Sequence, residues 1–364
     1  MIDLEKLRET LKKVLNQRLH IPAKEVTLEP LAGDASNRSY CRLSWRENNS
    51  FHSFVVMVLA DPEAFKASEE AGSGEAPPIE EIPFINIQKH LLACKLPVPE
   101  IIDSNLPEGW LLLEDLGDVT LAQEIEGQLQ NRPLLLNYYQ KAIDVLITLQ
   151  VEASPVPNSP SFAHLRQYDQ ALFLWEFDHF IEYGVEKRKG IVLPKKEKEA
   201  IRAGFLEIAC RLANIPAVYT HRDYHSRNLM IQSGLGGKRV RLIDFQDALM
   251  GPPHYDLASL LRDSYIDLPE ALVDELILYY IEKSEQRTKT VIELETFREL
   301  FDLVSIQRNL KAAGRFVYFD QVKHKSQYLS HVPPTLAKVK RNLLKYAKLF
   351  PLHRLLLPYV EEFQ

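Results

Sequence analysis

Two short segments of the chain hold side chains whose types and spacing can do chemistry. The first, Tyr219 to Leu229, reads YTHRDYHSRNL and places Asp223 and Asn228 five positions apart; the second, Leu242 to Phe245, reads LIDF. Each follows a short apolar stretch and opens into polar residues, which sets Asp223, Asn228 and Asp244 on loops fed by strands. Transfer of a phosphoryl group from a nucleotide needs positioning, magnesium to neutralise phosphate oxygens, and a carboxylate that orients or accepts the proton of the attacking hydroxyl. Asp223 can be that carboxylate, while Asn228 and Asp244 offer the hard oxygen ligands that Mg²⁺ prefers. A lone aspartate on a loop more often caps a turn; here spacing, strand context and a second acidic junction coincide.

The elements that must position this set are read from periodicity. Leu4, Leu7, Leu11, Val14 and Leu15 recur at helical spacing, predicting an amphipathic helix over the first twenty residues that packs on a core. Gly33 to Asn37 (GDASN) is a cluster of turn formers, followed by Tyr40 to Trp45 and Phe54 to Leu59, two expected strands of an antiparallel sheet. Ala67 to Pro78 (ASEEAGSGEAPP) predicts an exposed loop, and a helical pattern resumes near Ile82 until Pro97 and Pro99 interrupt it. Trp110 to Glu114 (WLLLE) reads as a buried strand, after which the composition changes at Asp115-Leu116-Gly117. Beyond it helices are expected at Leu134 to Gln150, Tyr168 to Tyr183 and Lys195 to Ala213, with Ser154 to Pro160 as a connecting loop. The fold class is therefore α+β, with a lobe boundary after Leu116.

Composition bounds the possible classes. The 364 residues include 46% hydrophobic and 26% charged, an ordinary globular balance that excludes a disordered or collagen-like chain. The 44 Lys and Arg against 50 Asp and Glu leave a net charge of -6, which argues against a dedicated nucleic-acid binder. The charge is unevenly placed, however, because Arg308 to Arg354 holds eleven Lys or Arg against the single acid Asp320. Cys41, Cys94 and Cys210 fit neither a disulfide framework nor a zinc spacing and read as reduced thiols. No apolar run approaches the roughly 20 residues of a membrane span, so a cytoplasmic protein is expected, with no membrane or nucleic-acid partner and as a monomer.

The pattern H-R-D-x-x-x-x-N followed by D-F resembles the catalytic loop and metal motif of protein kinases, with Gln246 where the last Gly would stand. His225, two residues after Asp223, makes the loop similar to the aminoglycoside phosphotransferase and choline kinase superfamily, in which His-x-Asp-x-His-x-x-Asn is usual. The resemblance extends to Gly33 to Tyr40 (GDASNRSY), Ile243 to Ala248 (IDFQDA), Gly251-Pro252, Tyr255 to Asp263 (YDLASLLRD), and Gln307 to Lys311 (QRNLK) with Gly314. Together these motifs resemble bacterial anomeric kinases of cell-wall recycling, which phosphorylate N-acetylmuramate and N-acetylglucosamine at C1.

That resemblance implies a bilobal, protein-kinase-like fold, with a small antiparallel β-rich nucleotide lobe over residues 1–116 and a larger, mainly helical catalytic and substrate lobe over 117–364. It implies ATP and Mg²⁺ as cofactors and a small amino sugar as substrate. Asp223 would be catalytic, and Asn228 and Asp244 would hold the metal. Gly33, Ala35, Ser36, Asn37 and Arg38 would cover the nucleotide phosphates, and Glu114 and Leu116 would form the hinge that meets adenine. Asp256 would be architectural, and Arg262 and Asp263 could pair with each other. Kinases place a Lys on the strand corresponding to Ser53 to Ala60 (SFVVMVLA), and this stretch has none; Met57 or Val58 stands there, so either another cation, such as Arg38 or Arg42, substitutes or nucleotide binding is weakened.

Sugar recognition calls for carboxylates, amides and cations around hydroxyls. Glu176, His225, Gln246, Asp247, Arg308 and Lys311 are the candidates, with Asn309 beside them, while Trp175 and Phe177 are expected in the core. The near end of the basic stretch, at Arg308 to Lys311, would meet substrate, and its far end, Lys338 to Lys348, is expected to be a solvated helix face. Two other readings stay open: an aminoglycoside, choline or homoserine kinase, and a nucleotide-binding pseudokinase that acts as a scaffold.

Overall fold

A computed structural model describes residues 3–31, 38–48, 50–59, 81–157, 161–234 and 236–364. The Gly33 to Asn37 turn and the loop expected at 67–78 lie outside them. The chain divides into two compact units, Met1–Glu69 with Val98–Gly117, and Glu70–Pro97 with Asp118–Gln364.

In the first unit, helix α1 (Leu4–Lys13) is capped by Asp3, whose carboxylate accepts from the backbone N–H groups of Glu5 and Lys6, and continues as a π-helical turn over Val14–Arg18. Its apolar stripe, Leu7, Leu11, Val14 and Leu15, packs on Leu43, Trp45, Val56, Trp110 and Leu112 of the sheet, so the helix expected from periodicity does cover a core. The sheet comprises β1 (Val26–Pro30), β2 (Arg38–Glu47), β3 (Ser50–Leu59), β4 (Ile101–Asn105) and β5 (Trp110–Glu114), in the order β1-β2-β3-β5-β4. All pairings are antiparallel, with Tyr40 opposite Met57 and Val56 opposite Leu112.

The second unit begins with α2 (Pro83–Ala93), which the sequence reading grouped with the N-terminal lobe. Three contacts tie it to the helical part: Phe84 packs on Phe245 at 4.9 Å between ring centroids, Asn86 Oδ1 accepts from the Phe162 N–H, and His90 Nε2 donates to the Ala153 carbonyl. The short α3 (Leu121–Glu124) is followed by α4 (Arg132–Glu152), α5 (Gln170–His179), which runs on as a π-helix over Phe180–Lys187, and α6 (Lys195–Ala213). Four short strands follow, flanking the candidate loops: β6 (Val218–Thr220) pairs with β9 (Leu249–Gly251), and β7 (Leu229–Gly234) forms a hairpin with β8 (Gly237–Leu242). Helices α7 (His254–Leu261), α8 (Glu270–Thr288), α9 (Leu294–Gln321), α10 (Val332–Leu343) and α11 (Phe350–Leu356) complete the unit. Gly314 lets α9 approach the end of α5 closely, since a Cβ there would stand 3.0 Å from the Phe180 Cα and 3.3 Å from the His179 carbonyl. No helix among the described residues is long and apolar enough to cross a membrane.

His254 opens α7 fully inside the unit, tilted against Phe297 at 4.3 Å between ring centroids, and neither ring nitrogen has a hydrogen-bond partner among the described residues. Burial pushes its imidazole down to about 3, so the ring is neutral when folded. A histidine whose folded value is depressed contributes stability that is complete above the ordinary value of about 6.5 and is lost as pH falls towards the folded one. His254→Phe should therefore flatten the acid-side fall in stability between about pH 6.5 and 4, by up to about 1.4 kcal/mol per pH unit. Thermal melts of both proteins across that range test it, and parallel slopes would show that the ring already carries its proton in the fold.

Candidate active site

The loop between β6 and β7 is held at its start by a buried carboxylate. Asp256, on the first turn of α7, accepts from the backbone N–H of His221 at 2.6 Å and of Arg222 at 3.0 Å. Burial drives its carboxyl up to about 7, and the two backbone donors pull it the other way. Arg222 takes a left-handed conformation, φ 81°, which is costly for a residue with a side chain and persists because the surroundings impose it. His221 donates from Nε2 to the Ile243 carbonyl at 3.0 Å, stitching this loop to the one after β8; burial pushes its imidazole down to about 4.

The Arg222 side chain is fixed in turn by Glu176 of α5, which is completely buried. Glu176 Oε1 accepts from Arg222 Nη2 at 3.2 Å, from Tyr168 Oη at 3.2 Å and from Lys311 Nζ at 2.7 Å, while Oε2 accepts from Gln307 Nε2 at 2.6 Å. Arg222 Nε also donates to Tyr168 Oη. Glu176, a sugar-contact candidate by sequence, has its oxygens engaged by four side chains and so positions Arg222 and Lys311.

Within this frame the loop carries Asp223, whose carbonyl accepts from the His225 N–H at 3.0 Å and from Asn228 Nδ2 at 3.0 Å. Burial raises the Asp223 carboxyl, but Lys311, with Arg222 and Arg308, outweighs it and holds the group well below the usual carboxylate range. It is ionised at neutral pH, as a proton acceptor must be. Asp263, just beyond α7, accepts from the Ser226 N–H and the Tyr265 N–H, both at 2.9 Å, and so anchors the far side of the loop. Arg262 pairs with Glu270, not with Asp263 as the sequence had suggested. Arg227 lies over the Tyr265 ring at 3.7 Å.

Asp244 also adopts a left-handed backbone, φ 63°, and its Oδ2 lies 3.5 Å from Asn228 Nδ2. Gln246 donates to Asp244 Oδ1 at 2.9 Å and to Asp247 Oδ2 at 3.1 Å, so it orients both carboxylates. Because Asn228 Nδ2 is spent on the Asp223 carbonyl, its Oδ1 is the atom that would ligate a metal. One carboxylate and one amide oxygen side by side fit Mg²⁺, which takes few protein ligands and completes its shell with phosphates and water. His225, whose ring burial makes neutral, lies with Nε2 3.5 Å from Asn228 Nδ2.

The other sequence candidates separate. Lys311 stays at the site through Glu176, whereas Arg308 is buried and donates to Ser259 Oγ of α7, so it acts on Asp223 through space. Asn309 is buried as well. Trp175, expected in the core, is 40% exposed, while Phe177 is buried against Phe205. The far end of the basic stretch also departs from expectation: Lys338 is 4% exposed and donates to the carbonyls of Asp263 and Ile266, and Lys345 pairs with the buried Asp302 at 2.9 Å. In the first unit, Glu114 ends β5 and Leu116 is buried beside it; Arg38 opens β2 opposite Leu59. Met57 and Val58 are buried in β3, and Arg42 is held by Asp115 at 2.6 and 3.1 Å, with Ser53 Oγ on the same carboxylate. Arg42 thus ties β2 to the residue that follows β5.

Glu176→Gln keeps the shape but leaves Arg222 and Lys311 without their carboxylate. Breaking a buried ion pair from one side costs about 3 kcal/mol or more, so the urea midpoint should fall accordingly. An unchanged midpoint would remove Glu176 from the positioning role.

The family model for the phosphotransferase enzyme family matches residues 27–290. A Neisseria meningitidis protein named N-acetylmuramate/N-acetylglucosamine kinase is 31% identical over 344 residues, covering 93% of this chain and 92% of that protein. A Pseudomonas putida protein of the same name is 32% identical over 323 residues, covering 88% and 84%. Among solved structures, choline kinase LicA from Streptococcus pneumoniae superimposes with a TM-score of 0.58 at 15% identity, covering 94% of this chain and 100% of that one, which shows a shared kinase-like α+β fold. On the family match and the coverage of these relatives, the chain belongs to the phosphotransferase enzyme family.

Proposed function

We propose that the protein is an ATP- and Mg²⁺-dependent sugar kinase that phosphorylates the anomeric hydroxyl of N-acetylmuramate or N-acetylglucosamine. The observation that carries this reading is the ionised Asp223 on a loop pinned by Asp256 and Asp263, with Asn228 and Asp244 side by side, in a chain whose relatives of that name align over most of its length. Asp223 accepts the proton of the C1 hydroxyl as its oxygen attacks the γ-phosphorus; the new O–P bond forms as the bond to the β-γ bridging oxygen breaks and ADP leaves. Asn228 and Asp244 are the proposed metal ligands, Gln246 orients Asp244, and Lys311 keeps Asp223 charged. Bound Mg²⁺ would neutralise charge on the phosphate oxygens. Gly33, Ala35, Ser36, Asn37 and Arg38 are proposed for the phosphates and Glu114 and Leu116 for adenine. A cationic acceptor such as choline is disfavoured by Lys311, Arg222 and Arg308 around Asp223.

Asp223→Asn should lower turnover by about 10²- to 10⁴-fold while Mg-ATP binding by calorimetry stays close to wild type. Asp244→Ala should instead abolish the Mg²⁺-dependent part of nucleotide binding. ADP release with a sugar panel separates an enzyme from a scaffold, and phosphorus NMR of the product shows whether the phosphate sits on C1. Full turnover by Asp223→Asn would overturn the assignment of the base.

A further inference from the structure

A shallow cavity between α5 and α9 is lined by Trp175, Glu176, His179, Lys311 and Arg315. Trp175 and His179 are one turn apart on α5, as Lys311 and Arg315 are on α9, so two helix faces oppose each other across it. Gly314, between the two cations, is what allows α9 to come this close. The floor is Glu176, whose oxygens are engaged by Arg222, Tyr168, Gln307 and Lys311. Through that floor the cavity adjoins the catalytic loop: Arg222 precedes Asp223, and Lys311 is the foremost cation acting on the Asp223 carboxylate.

The rim has a mixed character. The Trp175 indole is 40% exposed and tilts against His179. The Arg315 guanidinium lies 4.8 Å over the Tyr318 ring and 5.3 Å from the Phe319 ring, which orients it. Two cations, Lys311 and Arg315, line the cavity beside the one carboxylate of Glu176, which Arg222 engages from beneath. An exposed aromatic face suits the apolar side of a sugar ring, and a fork of cations suits a carboxylate.

We propose that this cavity is the subsite for a carboxylate-bearing substituent of the acceptor sugar, with Arg315 as the residue that distinguishes it from the same sugar without one. The inference rests on the sugar-kinase reading and deepens it: of the two sugars, N-acetylmuramate carries a lactyl carboxylate and N-acetylglucosamine does not. Arg315 is chosen for the test because Lys311 also holds Glu176.

The test measures kcat/KM for both sugars in wild type, Arg315→Met, which keeps an apolar stem against the Tyr318 and Phe319 rings, and Arg315→Lys, which restores a charge. A hydrogen bond to a charged group supports a change of about 10- to 100-fold, so the N-acetylmuramate to N-acetylglucosamine ratio should fall at least about tenfold in Arg315→Met and recover in part in Arg315→Lys. A ratio unchanged in Arg315→Met overturns the subsite and leaves the kinase reading intact. So does a wild type that phosphorylates N-acetylglucosamine but not N-acetylmuramate. A wild type that phosphorylates neither sugar overturns the kinase reading and the subsite together.

Discussion

The catalytic unit depends on how the His221 to Asp223 turn is held inside protein. Two buried carboxylates do it from opposite sides: Asp256 takes the backbone N–H groups of His221 and Arg222, and Glu176 takes the Arg222 side chain. The left-handed backbone at Arg222 would relax without them. Isolated carboxylates are expensive to bury, and these two are tolerated because each of their oxygens has at least one donor. The consequence is that Asp223 leaves the turn in one direction only, with its charge stabilised by cations that the same network has already ordered.

That network also explains why α5, α7 and α9 are the elements that matter. Glu176 comes from α5, Asp256 from α7, and Gln307 and Lys311 from α9, so three helices far apart in sequence converge on eight residues of loop. Gly314 belongs to the same packing, since a Cβ there would crowd the end of α5, the helix that carries Glu176. On the other side of the loop, Asp263 holds the Ser226 N–H, and its own carbonyl is held by Lys338 of α10. The basic C-terminal stretch is therefore partly internal scaffolding, and its charges are consumed by carbonyls and by Asp302 as much as by water.

Local pattern made much of the fold legible. The stripe of Leu7, Leu11 and Leu15, the paired strands around Tyr40 and Met57, the apolar run Trp110 to Glu114 and the helix Lys195–Ala213 all follow from periodicity, because each buries one face against a nearby element. The α2 helix groups by contacts with the helical part, as in the Phe84 to Phe245 pair, whose residues are 161 positions apart, and no local pattern reports that. The same limit governs Arg42, whose partner Asp115 lies 73 positions away.

What the sequence by itself determined is a set of residues: Asp223, Asn228 and Asp244 have the types and spacing that phosphoryl transfer calls for, and their strand-to-loop context is written beside them. The tertiary structure alone decided the surrounding roles. Glu176 and Arg308, sugar-contact candidates by sequence, are buried in the networks that support the loop, Lys338 turned from a solvated cation into one caged by carbonyls, and Trp175 from core into the wall of a cavity. The physical reason is that a motif residue acts through its own functional group. The worth of a supporting charge or ring depends on burial and on partners that only the packing of distant helices brings within reach.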